Sequence, residues 1–187
     1  MKHLLKPYLA AFMMGSLLFA STSCGSDDPK PIVVEQELIT TVKLSLVPEG
    51  KGQNVTATFS DPDGDGGNAP TIETLVLAPN TTYNMTVTLS DDSKSPSKDI
   101  TAEVRTEGDE HELFFTATGG LNISSVQKTD LDKNNRPVGL EATIVTGATS
   151  SGKLRVTLKH QPNLKGNTSD ISKGETDVEA DFPAVIQ

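Results

Sequence analysis

The chain has 187 residues, 16 Lys and Arg against 25 Asp and Glu, a formal charge of −9, 4% aromatic residues and no tryptophan. Binding to phosphate backbones needs clustered Lys and Arg, so this acid excess excludes nucleic acid as a partner. A single cysteine excludes an internal disulfide.

The N-terminus reads MKHLLKPYLAAFMMGSLLFASTSC, with Lys2 and Lys6, an apolar stretch from Tyr8 to Ala20, and small residues leading into Cys24. That is the pattern of a secretion signal over residues 1–23, and it falls short of the roughly 20 apolar residues of a membrane span. The small residues before the lone Cys24 resemble a bacterial lipobox, in which the thiol is acylated and the cysteine becomes the new N-terminus; Ser21 departs from the usual leucine. The competing reading is an ordinary signal followed by an incidental thiol. Gly25, Ser26, Asp27 and Asp28 resemble the acidic stretch after the acylated cysteine in surface-exposed lipoproteins of Bacteroidota. The expected address is the outer membrane, at the cell surface, with the lipid anchor as the membrane contact. Loss of residues 1–23 removes two lysines and no acid, leaving 164 residues with 14 basic and 25 acidic side chains and a formal charge of −11.

Residues 24–35 form the acylated cysteine and an extended tether, GSDDPKPIVVE, which spans about 35 Å at roughly 3.3 Å per residue. Residues 36–187 form the domain, large enough for one real core. From Leu38 apolar residues recur every second position: Leu38, Val42, Leu44 and Leu46; Val55, Ala57 and Phe59; Tyr83, Met85, Val87 and Leu89; Leu113, Phe115 and Ala117; Leu140, Ala142 and Ile144; Leu154, Val156 and Leu158. Alternation of this kind predicts half-buried strands, with Thr on the outward positions as such strands prefer. Weaker patterns at 72–78, 121–129 and 176–186 bring the count to nine. Ile100 and Val104 predict a short helix over 99–107, with strand alternation the competing pattern. The expected fold is an all-β, antiparallel sandwich of immunoglobulin-like type.

Consecutive strands in such a sandwich reverse direction, so connections alternate between its two ends. With 99–107 helical, one end receives EGKG, PNT, GG and GATSSG, and the other receives 61–71, 91–110, 130–137 and 161–174. All the long loops gather at one end, the arrangement in which sandwiches build binding surfaces.

Four features at that end carry candidate chemistry. Asp61, Asp63, Asp65 and Gly66 match positions 1, 3, 5 and 6 of a calcium loop, but Ile72 stands at position 12, where a bidentate Glu belongs; the alternative is a solvated Asp/Gly turn. A second loop offers Asp130, Asp132 and Asn134 at the same spacing with Glu141 at position 12, while Asn134-Asn135 also suits a hairpin turn. His111 and His160 share the parity of the core residues in their strands and sit at strand ends among the long loops. Glu107, Asp109, Glu110 and Glu112 surround His111 in sequence, and such carboxylates are expected to raise its affinity for protons and cations. Two imidazoles with one or two carboxylates make a zinc or copper set, and the parity count places the histidines close together. The alternative is a pair of hydrogen-bonded rim histidines.

Several classes are excluded. Two histidines do not furnish a copper–zinc dismutase site, and an acylated Cys24 leaves no thiolate for a blue-copper centre. There is no G-x-S-x-G, no H-E-x-x-H and no glycine-rich phosphate loop. Without tryptophan, and with most of Phe59, Tyr83, Phe114, Phe115 and Phe182 fitting core positions, stacking platforms for carbohydrate are missing.

The segments ELITTVKLSL, DGDGGNAPTIETLVLAPNTTYNMTVTL, SPSKDITAEVRTEGDEHELFF, TDLDKNNRPVGL and GKLRVTLKHQPNLKG together resemble a family of small Bacteroidota lipoproteins labelled type 1 periplasmic binding fold superfamily proteins. The resemblance spans most of the mature chain and carries no catalytic residues across. The label implies two α/β lobes, whereas the strand pattern implies one sandwich. The expected function is non-catalytic: an outer-membrane-anchored binding module for a metal ion or a membrane receptor partner, or else a structural or adhesive surface protein.

Overall fold

The structure, a computed structural model, describes residues 38–64 and 66–187; Cys24, the tether and Asp65 lie outside them. Among the described residues, eleven strands and one helix follow in chain order: β1 Thr41–Pro48, β2 Val55–Ser60, β3 Thr71–Ile72, β4 Leu75–Leu77, β5 Thr82–Asp91, β6 Lys98–Asp99, α1 Thr101–Thr106, β7 His111–Thr118, β8 Ile123–Lys128, β9 Glu141–Thr146, β10 Ser150–His160 and β11 Glu175–Ile186. They form two sheets. The first runs β3-β2-β1-β5-β9-β8, with β6 on the end of β5, and the second runs β4-β11-β10-β7.

The expected all-β sandwich is the observed one, with more strands than nine. The 72–78 segment changes sheets: β3 pairs with β2 in the first sheet, and two residues later β4 pairs with β11 in the second. That last pairing is parallel, which makes the second sheet mixed. Alternation drives both sheets. Val42, Leu44 and Leu46 of β1, Val87 of β5, and Leu154, Val156 and Leu158 of β10 are fully buried, each side chain contributing about 1.5–3 kcal/mol of apolar transfer. Leu38 departs from the expected pattern: it precedes β1 and stays exposed.

Residues 101–106 are helical because Ile100 and Val104, one turn apart, both bury into the core. The 99–107 segment therefore adds no full strand. The connections after β2, β5, β8 and β10 lie at one end of the sandwich, and those after β1, β4, β7 and β9 at the other. The chain enters β1 at the first of these ends, since Thr41 pairs with Ser60 and Ser90.

Candidate metal centre

β7 begins and β10 ends at the same place. In their antiparallel register His111 is the direct cross-strand partner of His160, so both side chains leave one face at the same level. Their rings stack with centroids 4.6 Å apart and planes 7° from parallel. The spacing expected from strand parity is thus found.

The third member was not visible in the alternation. Along β11, Val178, Ala180, Phe182, Ala184 and Ile186 point inward, and a regular strand would turn Asp177 out. The register slips: Leu158 pairs with Val178 and Lys159 with Thr176, leaving Asp177 as the extra residue of a β-bulge. Bulges re-aim side chains beside functional sites. Here the bulge brings the Asp177 carboxylate inside, its side chain 1% exposed, with Oδ2 3.7 Å from His111 Nε2. One donor atom from each of His111, His160 and Asp177 lies within 4.8 Å of the others. Adjacent ligands of a tetrahedral ion with bonds of about 2.1 Å stand roughly 3.4 Å apart. The donors, up to 4.8 Å apart with the two rings nearly parallel, lie outside that edge length, so the side chains must rotate toward one another to hold an ion.

The state of His111 suits a ligand. Nδ1 lies 3.2 Å from the carbonyl oxygen of Glu107. Carbonyls only accept, so Nδ1 carries the proton and Nε2 holds the lone pair, the arrangement by which an outer hydrogen bond fixes a ligating imidazole. Burial pushes the His111 pKa below its ordinary value, outweighing the Glu107 bond, and His160 pushes in the same direction. Glu110 does push it upward, as expected of neighbouring acids, but burial prevails and the net direction is downward. Asp109 pairs with Lys133 at 2.9 Å, and Glu112 pairs with Lys128 and accepts from Ser169. Burial favours the neutral imidazole, whose Nε2 lies 3.7 Å from the Asp177 carboxylate.

A second cluster supports this one from behind. Lys165, its side chain 1% exposed, donates to the carbonyls of Gly108 at 2.6 Å and His111 at 2.9 Å, and pairs with Asp132 at 3.4 Å. Arg136 donates to Asp132 at 3.0 Å, to the Asp109 carbonyl at 3.1 Å, and to the carbonyl of Lys165. Three loops are tied together at the point from which His111 springs. Asp132 is held below the usual carboxylate range: burial alone would raise it, but the backbone N–H groups of Arg136 and Asn134 and the charges of Lys165 and Arg136 prevail. Burial lowers the proton affinity of Lys165, and Asp132 restores part of it.

In the second acidic segment the residues with calcium-loop spacing have protein partners. Asp130 accepts from the N–H groups of Gly139 and Leu140, at 2.7 and 3.0 Å. Asp132 is occupied as described, Asn134 gives its N–H to Asp132 at 2.7 Å, and Glu141 is exposed and pairs with Arg105 at 3.3 Å. These groups satisfy the loop itself. Asn135 has φ +60°, the left-handed conformation that a tight turn uses. In the opening loop, Asp63 Oδ2 accepts from Asn68 twice, at 2.8 and 2.7 Å, closing the turn, and Asp61 Oδ1 is buried without a hydrogen bond.

A groove of about 550 Å³ lies at the opposite end, lined by Pro48, Lys51, Gln53, Val55, Tyr83 and Gln187 among others; no acid or histidine lines it. Among the described residues, no helix is long and apolar enough to cross a membrane. No family model, curated protein or solved structure matches the chain.

Proposed function

We propose that this protein is a lipid-anchored β-sandwich that captures a transition-metal ion at the long-loop end through His111, His160 and Asp177, without catalysing a reaction. The observation that carries the reading is the cross-strand histidine pair with a carboxylate bulged into the same space. Imidazole nitrogen selects zinc or copper over calcium, which takes oxygen ligands. Zinc titration of the metal-free mature domain should show one site, and His160→Ala should weaken it by about 10–100-fold or more, since even partners one shell removed cost that much. Equal affinity would return the pair to rim histidines.

The signal-like segment 1–23, the lone Cys24 and Asp27-Asp28 support anchoring in the outer membrane. An anchored protein works at the membrane, and a membrane receptor is the partner proposed for it. Cys24→Ser should move the protein from the membrane fraction to the soluble one; retention in the membrane would contradict the anchor.

A further inference from the structure

Resting on that metal reading, the geometry points to Glu110 as a fourth ligand, which makes the site a closed two-histidine, two-carboxylate cage for a zinc-type dication. Glu110 Oε2 lies 3.7 Å from His160 Nε2, close to the roughly 3.4 Å edge of a tetrahedral zinc site. The main chain of Glu110 is fixed on both sides: its N–H donates to the Glu107 carbonyl at 2.8 Å, and its carbonyl accepts from Gln161 at 2.6 Å. The second bond pins it against the exit of β10, one residue beyond His160. The Glu110 carboxylate is not yet among the donors that lie within 4.8 Å of one another, so the side chain has to turn toward His111 and Asp177.

Exposure is graded across the four groups. The side chains of His111 and Asp177 are 1% exposed, that of His160 is 13% exposed, and that of Glu110 is 41% exposed. An ion entering from solvent meets Glu110 and His160 first and settles against Asp177 and His111. Glu110 then closes over it. Two carboxylates balance the charge of a dication, which lowers the cost of holding the ion partly out of water. A fourth protein ligand also removes the open position that metal catalysis requires, so the cage holds its ion rather than presenting it to a substrate. Two of the other acids of the segment are committed elsewhere, Asp109 to Lys133 and Glu112 to Lys128. The competitor is Glu175, exposed on β11 and in register with His160.

The test compares wild type, Glu110→Gln and Glu175→Gln, each shown to be folded by circular dichroism, in zinc affinity and in the rate at which loaded zinc passes to a chelator. Each substitution removes one negative charge near His160, so Glu175→Gln reports the purely electrostatic effect. Glu110→Gln is expected to lose about 10-fold or more in affinity and to release zinc correspondingly faster, with Glu175→Gln near wild type. Equal losses in the two variants, or none in Glu110→Gln, would overturn the fourth ligand while leaving the three-residue site standing. A wild type that takes up no zinc would instead remove the reading on which this inference rests.

Discussion

Asp132→Asn is expected to destabilise the domain by about 3–5 kcal/mol, the range for removing one partner of a buried ion pair. The substitution keeps size and shape, and its amide oxygen can still accept the N–H groups of Asn134 and Arg136. What it removes is the charge facing Lys165 at 3.4 Å, where both side chains are 1% exposed. An ammonium group left there without its counter-charge costs far more than an exposed pair is worth. A second substitution, Lys165→Met, should recover part of the loss, and the double-mutant cycle measures the coupling directly. The effect depends on pH with a definite sign. Asp132 has a depressed pKa in the folded state, so its contribution is fully present above the unfolded value of about 3.9 and is lost as pH falls through the lower native value. The gap between wild type and Asp132→Asn, followed by denaturant unfolding, should therefore hold at neutral pH and shrink below about pH 4. A gap independent of pH would show that the carboxylate charge is not its source.

Gly174→Ala is expected to damage both stability and the metal centre. Gly174 immediately precedes β11 and has φ +70°, a left-handed conformation that costs other residues about 1–3 kcal/mol. A methyl group there would also overlap the His160 carbonyl oxygen and stand 2.8 Å from Gln161 Cγ. A carbonyl belonging to a strand cannot swing aside as a side chain does, so the start of β11 must separate from the end of β10. Asp177 lies three residues further on and His160 is the clashing residue. Lower melting temperature and weaker zinc binding should appear together. A variant with reduced stability and unchanged zinc affinity would mean that the bulge keeps Asp177 in place without this contact.

The sandwich was legible because its strands have one buried face, and period-two alternation reports burial directly. The position of His111 and His160 followed from the same rule, since parity fixes the face and the count of reversals fixes the end. Asp177 was hidden for the converse reason. Alternation assigns it to the outer face beside Glu179 and Asp181, and only the one-residue slip opposite Leu158 and Lys159 turns it inward. Bulges leave no reliable mark in composition. The Asp132–Lys165 pair was hidden too, because 33 residues separate its members and both belong to types that are normally exposed. Of the four residues with calcium-like spacing, Asp130 and Asp132 accept from backbone N–H groups of their own loop, whereas Glu141 lies on β9 and pairs with Arg105. In that segment the requirement for acceptors was real, and the N–H groups needing them belonged to the protein.

The central claim is that the two histidines and the bulged carboxylate converge on one ion. Anomalous diffraction at the zinc edge from crystals of the zinc-loaded mature domain tests it most directly. The account predicts a single strong peak about 2.0–2.2 Å from His111 Nε2, a nitrogen of His160 and a carboxylate oxygen of Asp177. A peak elsewhere on the domain, with the imidazoles still stacked 4.6 Å apart and the space before them empty of metal, would contradict it.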